Sequence, residues 1–137
     1  MKVFLDTNVV IDFMGERDGF FDDASTIFSL VADGSIQAST SSLTIVNCAY
    51  ILKKAFGADM MLEKLDSLCQ ILDITPIAKE QVHDAIRIKP RDYEDAVQYL
   101  SAQTYHADIV ITRDKKGFND FGILVMTPAE FVQKVKK

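Results

Sequence analysis

The chain has 137 residues and a formal net charge of −5, and 48% of its residues are hydrophobic and 26% charged. The length suits one domain with a hydrophobic core, so we expect residues 1–137 to form a single domain, and the composition excludes a disordered chain. The acidity argues against nucleic-acid binding by a basic face alone, although a cation held by clustered carboxylates would reverse the charge that a phosphate meets.

The few cysteines and histidines restrict the kinds of site available. Cys48 and Cys69 lie in apolar stretches, which indicates reduced core thiols rather than a disulfide scaffold. With only His83 and His106 beside them, at unrelated spacings, a zinc site has almost no ligands to draw on. No stretch has the length and apolarity of a signal peptide or a membrane span, so we expect a cytoplasmic protein without membrane contact.

The first half of the chain alternates predicted strands and helices. A short apolar strand over Lys2 to Leu5 is followed by Asp6-Thr7-Asn8, which predicts a polar loop. The apolar spacing then predicts a helix over 20–32 closed by Gly34, and a brief strand over 36–39. A second helix is predicted over 43–56, with Thr40-Ser41-Ser42 as candidate N-caps and Gly57 at its end.

The second half continues the alternation. Helices are predicted over 59–68, 78–88 and 92–105, strands over 71–75, 108–112 and 123–125, and a closing helix from Thr127-Pro128. This order predicts an α/β fold with three layers, α/β/α, and a mostly parallel central sheet. Ligands in such folds bind beyond the carboxyl ends of the strands.

Three aspartates are expected to meet at that edge. Asp6 directly follows the first strand, Asp114 lies just past the strand that ends at Thr112, and Asp95 lies in the first turn of a helix whose preceding loop can reach the same edge. An all-oxygen cluster of this kind suits Mg²⁺ or Mn²⁺.

Each neighbouring charge has an ordinary interpretation as well. Asp92 is spaced from Asp95 as an N-cap, which is the preferred interpretation, and Glu94 is equally suited to a solvated or a supporting position. Asp6 alone would also fit a turn. Arg113, Lys115 and Lys116 around Asp114 indicate either a solvated face, the ordinary explanation, or phosphate contacts at the rim of a metal site.

Four sequence blocks, in order, resemble the PIN domain family along nearly the whole chain. They begin at Leu5-Asp6-Thr7-Asn8, Tyr93-Glu94-Asp95-Ala96, Asp108-Ile109-Val110-Ile111-Thr112-Arg113-Asp114 and Val125-Met126-Thr127-Pro128. One such block would be weak, whereas four in sequence are specific. The nearest branch is that of the small bacterial PIN proteins, many of which are ribonuclease toxins of the VapC type paired with an antitoxin.

The resemblance implies metal-dependent hydrolysis of RNA phosphodiester bonds. It implies a site built from Asp6, an acid on the middle helix, Asp95 and Asp114, with Asn8 and Thr112 as supporting polar groups and one or two Mg²⁺ or Mn²⁺ ions. RNA is then the substrate, a small antitoxin protein the expected partner, and a homodimer a further expectation.

The chain departs from the family pattern at two positions. Asn47 stands where the middle-helix acid is expected, so it offers a carbonyl oxygen without a charge, and Gly117 stands where relatives often carry an aspartate. A weakened metal site is one interpretation of these departures, and a PIN-fold module that binds RNA or protein without cutting is the other. A phospho-receiver domain is disfavoured because no acceptor aspartate follows a central strand.

Overall fold

The structure is a computed structural model that describes residues 1–136. Its strands are β1 (Lys2–Leu5), β2 (Gln37–Ser41), β3 (Asp73–Thr75), β4 (Ile109–Ile111) and β5 (Leu124–Met126). Its helices are α1 (Thr7–Met14), α2 (Phe21–Ala32), α3 (Ser42–Phe56), α4 (Ala58–Ile71), α5 (Lys79–Ile88), α6 (Tyr93–Thr104) and α7 (Pro128–Lys136), with a 3₁₀ turn over Lys115–Phe118. None of these helices is long and apolar enough to cross a bilayer.

The five strands form one sheet in the order β3-β2-β1-β4-β5, and every neighbouring pair is parallel. The chain builds outward from β1 on one side through β2 and β3, and then returns to β4 on the other side. This reversal places the topological switch point between β1 and β4, where open α/β sheets bind their ligands. The predicted α/β fold with a parallel central sheet is confirmed.

Helices cover both faces of the sheet because side chains along each central strand alternate between two buried layers. Val3 and Leu5 of β1 point into a core shared with α1, α2, α3, α4 and α7. Phe4, between them, points to the opposite face and packs with Ala102 of α6 and with Phe118. These two cores produce the predicted three-layer α/β/α arrangement.

Several predicted helix ends are confirmed at the level of single hydrogen bonds. Ser41 caps α3 by accepting from the amide of Thr44 at 3.1 Å, and Asp92 caps α6 by accepting from the amide of Asp95 at 3.0 Å. Gly57 closes α3 with φ 87°, a left-handed conformation that a side chain would strain.

Two interpretations made from the sequence are wrong. Asp6-Thr7-Asn8 is not a loop, because Thr7 already begins α1, with Asp6 as its N-cap residue. Most of α1 is buried, so its apolar residues do not show the one-sided spacing of a surface helix. Cys69 is exposed on α4 rather than in the core, whereas Cys48 is fully buried and burial raises the pKa of its thiol to about 12.

Candidate active site

Asp6 lies at the carboxyl end of β1 with its carboxylate held from three sides. Its Oδ1 accepts from the backbone N of Thr7 at 2.8 Å and from Nε2 of Gln98 at 3.0 Å, and its Oδ2 accepts from Oγ1 of Thr112 at 2.8 Å. Only 6% of Asp6 is exposed. A buried carboxylate with this many donors is fixed in direction.

Gln98 is a site residue that the sequence interpretation missed. It is completely buried in α6, and its Nε2 also donates to Oγ1 of Thr44 at 2.8 Å while its Oε1 accepts from the hydroxyl of Ser41. The side-chain amide therefore links Asp6, just after β1, to the start of α3. Nothing in the sequence signals this role, since glutamine in a helix is most often exposed.

Thr112 and Asn8 join the ends of β4 and α1 beside Asp6. The register pairs Leu5 with Ile111, so Asp6 and Thr112 emerge side by side from neighbouring strands. Nδ2 of Asn8 donates to Oγ1 of Thr112 at 3.1 Å, and Oδ1 of Asn8 accepts from the backbone N of Arg113 at 3.1 Å. Of the two supporting polar groups implied by the family resemblance, Thr112 therefore contacts Asp6 directly and Asn8 contacts Thr112.

A cleft of about 360 Å³ opens above these residues, and we call it the acidic cleft. It contains five carboxylates and one guanidinium, which makes it strongly negative. All three aspartates expected to converge line it, although they come from three distant parts of the chain. Its lining residues are Asp6, Thr7, Asn8, Ile11, Arg17, Ile51, Asp92, Glu94, Asp95 and Asp114.

Burial and the crowding of carboxylates in the acidic cleft raise the pKa of two of them, Asp95 and Glu94. Burial, and then the nearby charges of Asp6, Asp92, Asp114 and Glu94, raise the pKa of Asp95 to about 7. Burial first and the charges of Asp6 and Asp92 next also raise the pKa of Glu94. Repelled carboxylates in a cleft are the usual mark of a site that binds a cation or moves a proton.

The carboxylate of Asp95 lies directly over Gly117. A methyl group added at Gly117 would come within 1.7 Å of Oδ2 of Asp95, so this space is filled by the aspartate itself. At the position where the family resemblance implied an aspartate, the chain has a glycine that leaves room for Asp95. Any side chain at this position would have to displace the Asp95 carboxylate.

The donor chemistry of the acidic cleft fits Mg²⁺ or Mn²⁺. All of its charged donors are carboxylate oxygens, with no imidazole or thiol among the lining residues. Within residues 1–136, no three acidic, imidazole or thiol side chains lie close enough together to form a ready-made metal cage. Magnesium does not need one, because it keeps several waters and commonly binds one or two protein carboxylates together with substrate phosphates.

Asn47 lies beside the acidic cleft but does not line it. It is half-buried on the face of α3 between Thr44, which contacts Gln98, and Ile51, which lines the acidic cleft. Its side-chain amide forms no hydrogen bond with any of residues 1–136, and it is not among the lining residues. Among the described residues Asn47 therefore makes no hydrogen bond to Asp6.

The cations near Asp114 have different surroundings. Arg113 forms a two-pronged ion pair with the buried Asp12, at 2.7 and 3.1 Å, and its guanidinium lies 4.0 Å from the centre of the Phe20 ring. Nζ of Lys115 donates to the carboxylate of Glu130 at 3.0 and 3.2 Å. These partners favour structural roles for both residues. Lys116 remains exposed, and Arg17, which the sequence interpretation overlooked, is the guanidinium in the acidic cleft.

Comparison with known proteins identifies the family to which the chain belongs. Residues 2–116 match the family model described as PIN domain. The chain belongs to the PIN domain family. Ribonuclease VapC1 of Aquifex aeolicus (strain VF5) is 28% identical over 138 residues, and the alignment covers 97% of this chain and 94% of that protein.

Solved PIN-fold structures resemble the chain over almost its full length. The VapBC structure from Salmonella typhimurium, solved bound to DNA, gives a TM-score of 0.72 at 17% identity and covers 93% of this chain and 98% of that chain. Mycobacterium tuberculosis VapC20, described as a Sarcin-Ricin loop cleaving toxin, gives 0.70 at 12% identity and covers 89% and 96%. At such identities the likeness concerns the PIN fold alone.

Proposed function

We propose that this PIN domain is a metal-dependent endoribonuclease that hydrolyses RNA phosphodiester bonds at the acidic cleft. The observation that carries the proposal is the meeting of Asp6, Asp95 and Asp114 in one cleft at the switch point of the sheet. The likeness to Ribonuclease VapC1 over 97% of the chain supports the same reaction class.

The surroundings of each acidic residue in the cleft indicate its role in binding a cation. Asp6 is fixed by Thr7, Gln98 and Thr112, so it offers one oriented oxygen anchor for a cation. Asp95 and Asp114 add carboxylates on the other sides, and Asp95 loses its proton readily once a positive charge enters. A bound Mg²⁺ or Mn²⁺ would supply a hydroxide at neutral pH and stabilise the leaving oxygen.

Arg17 completes the functional groups of the cleft. It is exposed, and its guanidinium lines the cleft beside the carboxylates. A guanidinium suits a phosphate oxygen, because its fork of donors matches the anion geometry. We assign to Arg17 the contact with the phosphate that is cut, because Arg113 and Lys115, which were considered for such a contact from the sequence, bind Asp12 and Glu130.

The proposal includes a role as the toxin of a type II toxin–antitoxin pair in the cytoplasm. VapBC complexes among the structural neighbours support a small antitoxin as the partner. A protein partner, or a second copy of the chain, also suits the apolar side chains that α3 and α4 expose, among them Tyr50 at 74% and Leu62 at 60%. Co-purification with the product of an adjacent small reading frame tests the partner.

RNA cleavage by the purified chain tests the enzymatic part. Structured and single-stranded RNAs are incubated with Mg²⁺, with Mn²⁺ or with EDTA. We expect cleavage only with metal, and a loss of roughly 100-fold or more in the Asp6→Asn and Asp95→Asn proteins, because each removes a charged metal donor. The exposed Asp66 of α4 supplies the matched control, since Asp66→Asn removes the same charge away from the cleft.

Two outcomes would contradict the proposal. Cleavage that persists unchanged in the Asp6→Asn and Asp95→Asn proteins would show a contaminating nuclease. RNA binding without turnover by the wild-type chain would instead favour the alternative interpretation of Asn47 and Gly117, a PIN-fold module that binds RNA or protein without cutting.

A further inference from the structure

We infer that a groove next to the acidic cleft holds the phosphate backbone of the RNA strand that is cut. The groove, about 320 Å³ in volume, lies between the α5–α6 connection and the 3₁₀ turn. We call it the basic groove, after the three cations Lys89, Arg91 and Lys116 among its lining residues. The inference rests on the proposed function, because it concerns the path of that substrate.

The cations of the basic groove are available to a ligand. Lys89 and Lys116 are exposed and form no ion pair with any of residues 1–136. Nε of Arg91 lies 3.8 Å from Oδ2 of Asp120, but the two side chains are 92% and 66% exposed, so this ion pair is weak. Asp92, the other acid of the groove, already accepts a backbone hydrogen bond as the cap of α6.

The backbone holds Lys89 in an unusual conformation at the entrance of the groove. Lys89 ends α5 with φ 53° and ψ 56°, a left-handed geometry that is uncommon for residues other than glycine. Pro90 follows it and stiffens the connection to Arg91. Lys116 reaches the groove from the other side, from the 3₁₀ turn that also contains Gly117.

The basic groove is continuous with the acidic cleft. Asp92 lines both, and Gly117, which lines the groove, lies against the carboxylate of Asp95, which lines the cleft. A strand whose phosphate is at Asp95 therefore has its next phosphates within reach of the three cations.

Charge explains why an RNA strand needs this groove. The cleft has five carboxylates against one guanidinium, and the whole chain carries −5, so a polyanion is repelled wherever no cation compensates. A local group of three cations beside the cleft compensates the phosphates that flank the cut one. Such contacts position a strand without selecting its bases.

Binding of a fluorescein-labelled single-stranded RNA of mixed sequence tests the inference. All variants carry Asp6→Asn so that binding is measured without cleavage. The groove variant combines Lys89→Ala, Arg91→Ala and Lys116→Ala. Its control combines Lys79→Ala, Lys134→Ala and Lys136→Ala, which remove the same charge from exposed positions outside both sites.

We expect the groove variant to bind the RNA at least roughly tenfold more weakly than the control variant. The plot of log K against log salt concentration should also become less steep by about 2, since each lost phosphate contact reduces the slope by about 0.7. Equal affinities of the two triple variants, or no RNA binding by the Asp6→Asn parent, would overturn the inference. Displacement of the RNA by polyglutamate as effectively as by unlabelled RNA would also overturn it, because the groove would then suit an acidic protein.

Cleavage by the same triple variants in the wild-type Asp6 background separates the inference from the proposed function. If the wild type cuts RNA and both triple variants cut and bind alike, the inference fails while the nuclease stands. If no RNA is cut but binding still depends on the groove, the nuclease fails while the strand path stands.

Discussion

Gln98, which is completely buried, donates a hydrogen bond from Nε2 to Oδ1 of Asp6 at 3.0 Å, at the floor of the acidic cleft. The two residues are 92 positions apart in sequence, on α6 and at the end of β1. Because Gln98 touches Asp6 but does not line the acidic cleft, we regard it as a positioning residue. Groups that orient a metal ligand in this way strongly affect metal affinity.

Replacing Gln98 by methionine tests this positioning role. The change keeps the volume but removes the donor to Asp6 and the partner of Ser41 and Thr44, so we expect roughly 10- to 100-fold weaker Mn²⁺ binding and cleavage. The free energy of unfolding should also fall by about 1–3 kcal/mol. Gln103→Met, on the exposed side of the same helix, is the control. A folded Gln98→Met protein with wild-type Mn²⁺ affinity would refute the role.

The raised pKa of Asp95 predicts how stability depends on pH in the absence of metal. Between the unfolded value near 4 and about 7, the folded chain keeps a proton on Asp95 that the unfolded chain has released. This stabilising contribution is present below about pH 4 and is lost as the pH rises through about 7. At higher pH the charged Asp95 lies among repelling carboxylates.

Asp95→Asn should therefore stabilise the metal-free protein at about pH 8, by about 1–2 kcal/mol after allowance for solvent screening, and have little effect at about pH 4. Urea unfolding at the two pH values measures the difference. Asp66→Asn, an exposed change on α4, should have no such pH dependence. An equal effect of Asp95→Asn at both values would contradict the pKa assignment.

Arg113 is expected to stabilise the fold through Asp12. Only 1% of the Asp12 side chain is exposed, so Arg113→Ala leaves a buried carboxylate without its partner and should cost about 3 kcal/mol in the free energy of unfolding. Lys115→Ala breaks a pair with Glu130 in which both side chains are about half exposed, and should cost less than about 1 kcal/mol. Denaturant unfolding of the two variants compares them, and equal losses would contradict the structural role of Arg113.

Asn47→Glu adds a carboxylate at the position where the family pattern expects an acid. Since Asn47 lies on the cleft-facing side of α3, we expect Mn²⁺ affinity to rise roughly tenfold, because affinity follows the number of charged ligands. Val46→Glu, one residue away and 53% exposed, adds the same charge as a control. Calorimetric titration measures both, and matching affinities would exclude a ligand role for position 47.

The elements that the sequence predicted well are helices with one buried face and short central strands that are buried on both faces. The one-sided spacing of α2, α3 and α5 and the short apolar runs of β1 and β4 follow from a sheet covered on both sides. Helix α1 was not predicted because it is buried on most sides, so its apolar residues lack the one-sided spacing of a surface helix. Its first residues, Thr7 and Asn8, also occur frequently in turns.

For the site, the sequence indicated which carboxylates meet but not what holds them. Asp6, Asp95 and Asp114 each follow or begin a predicted element, so the topology rule for parallel sheets was enough to bring them together. The partners Gln98 and Asp12 belong to helices in which neither residue type is distinctive. Their roles depend on contacts across 92 and 101 positions, which local patterns do not contain.

A crystal of the chain soaked in Mn²⁺ tests the central claim most directly. The anomalous signal of manganese locates the ion independently of any activity. We predict a peak in the acidic cleft at bonding distance from a carboxylate oxygen of Asp6, with Asp95 or Asp114 as a further ligand directly or through water. A peak elsewhere, or an empty acidic cleft at saturating Mn²⁺, would contradict it.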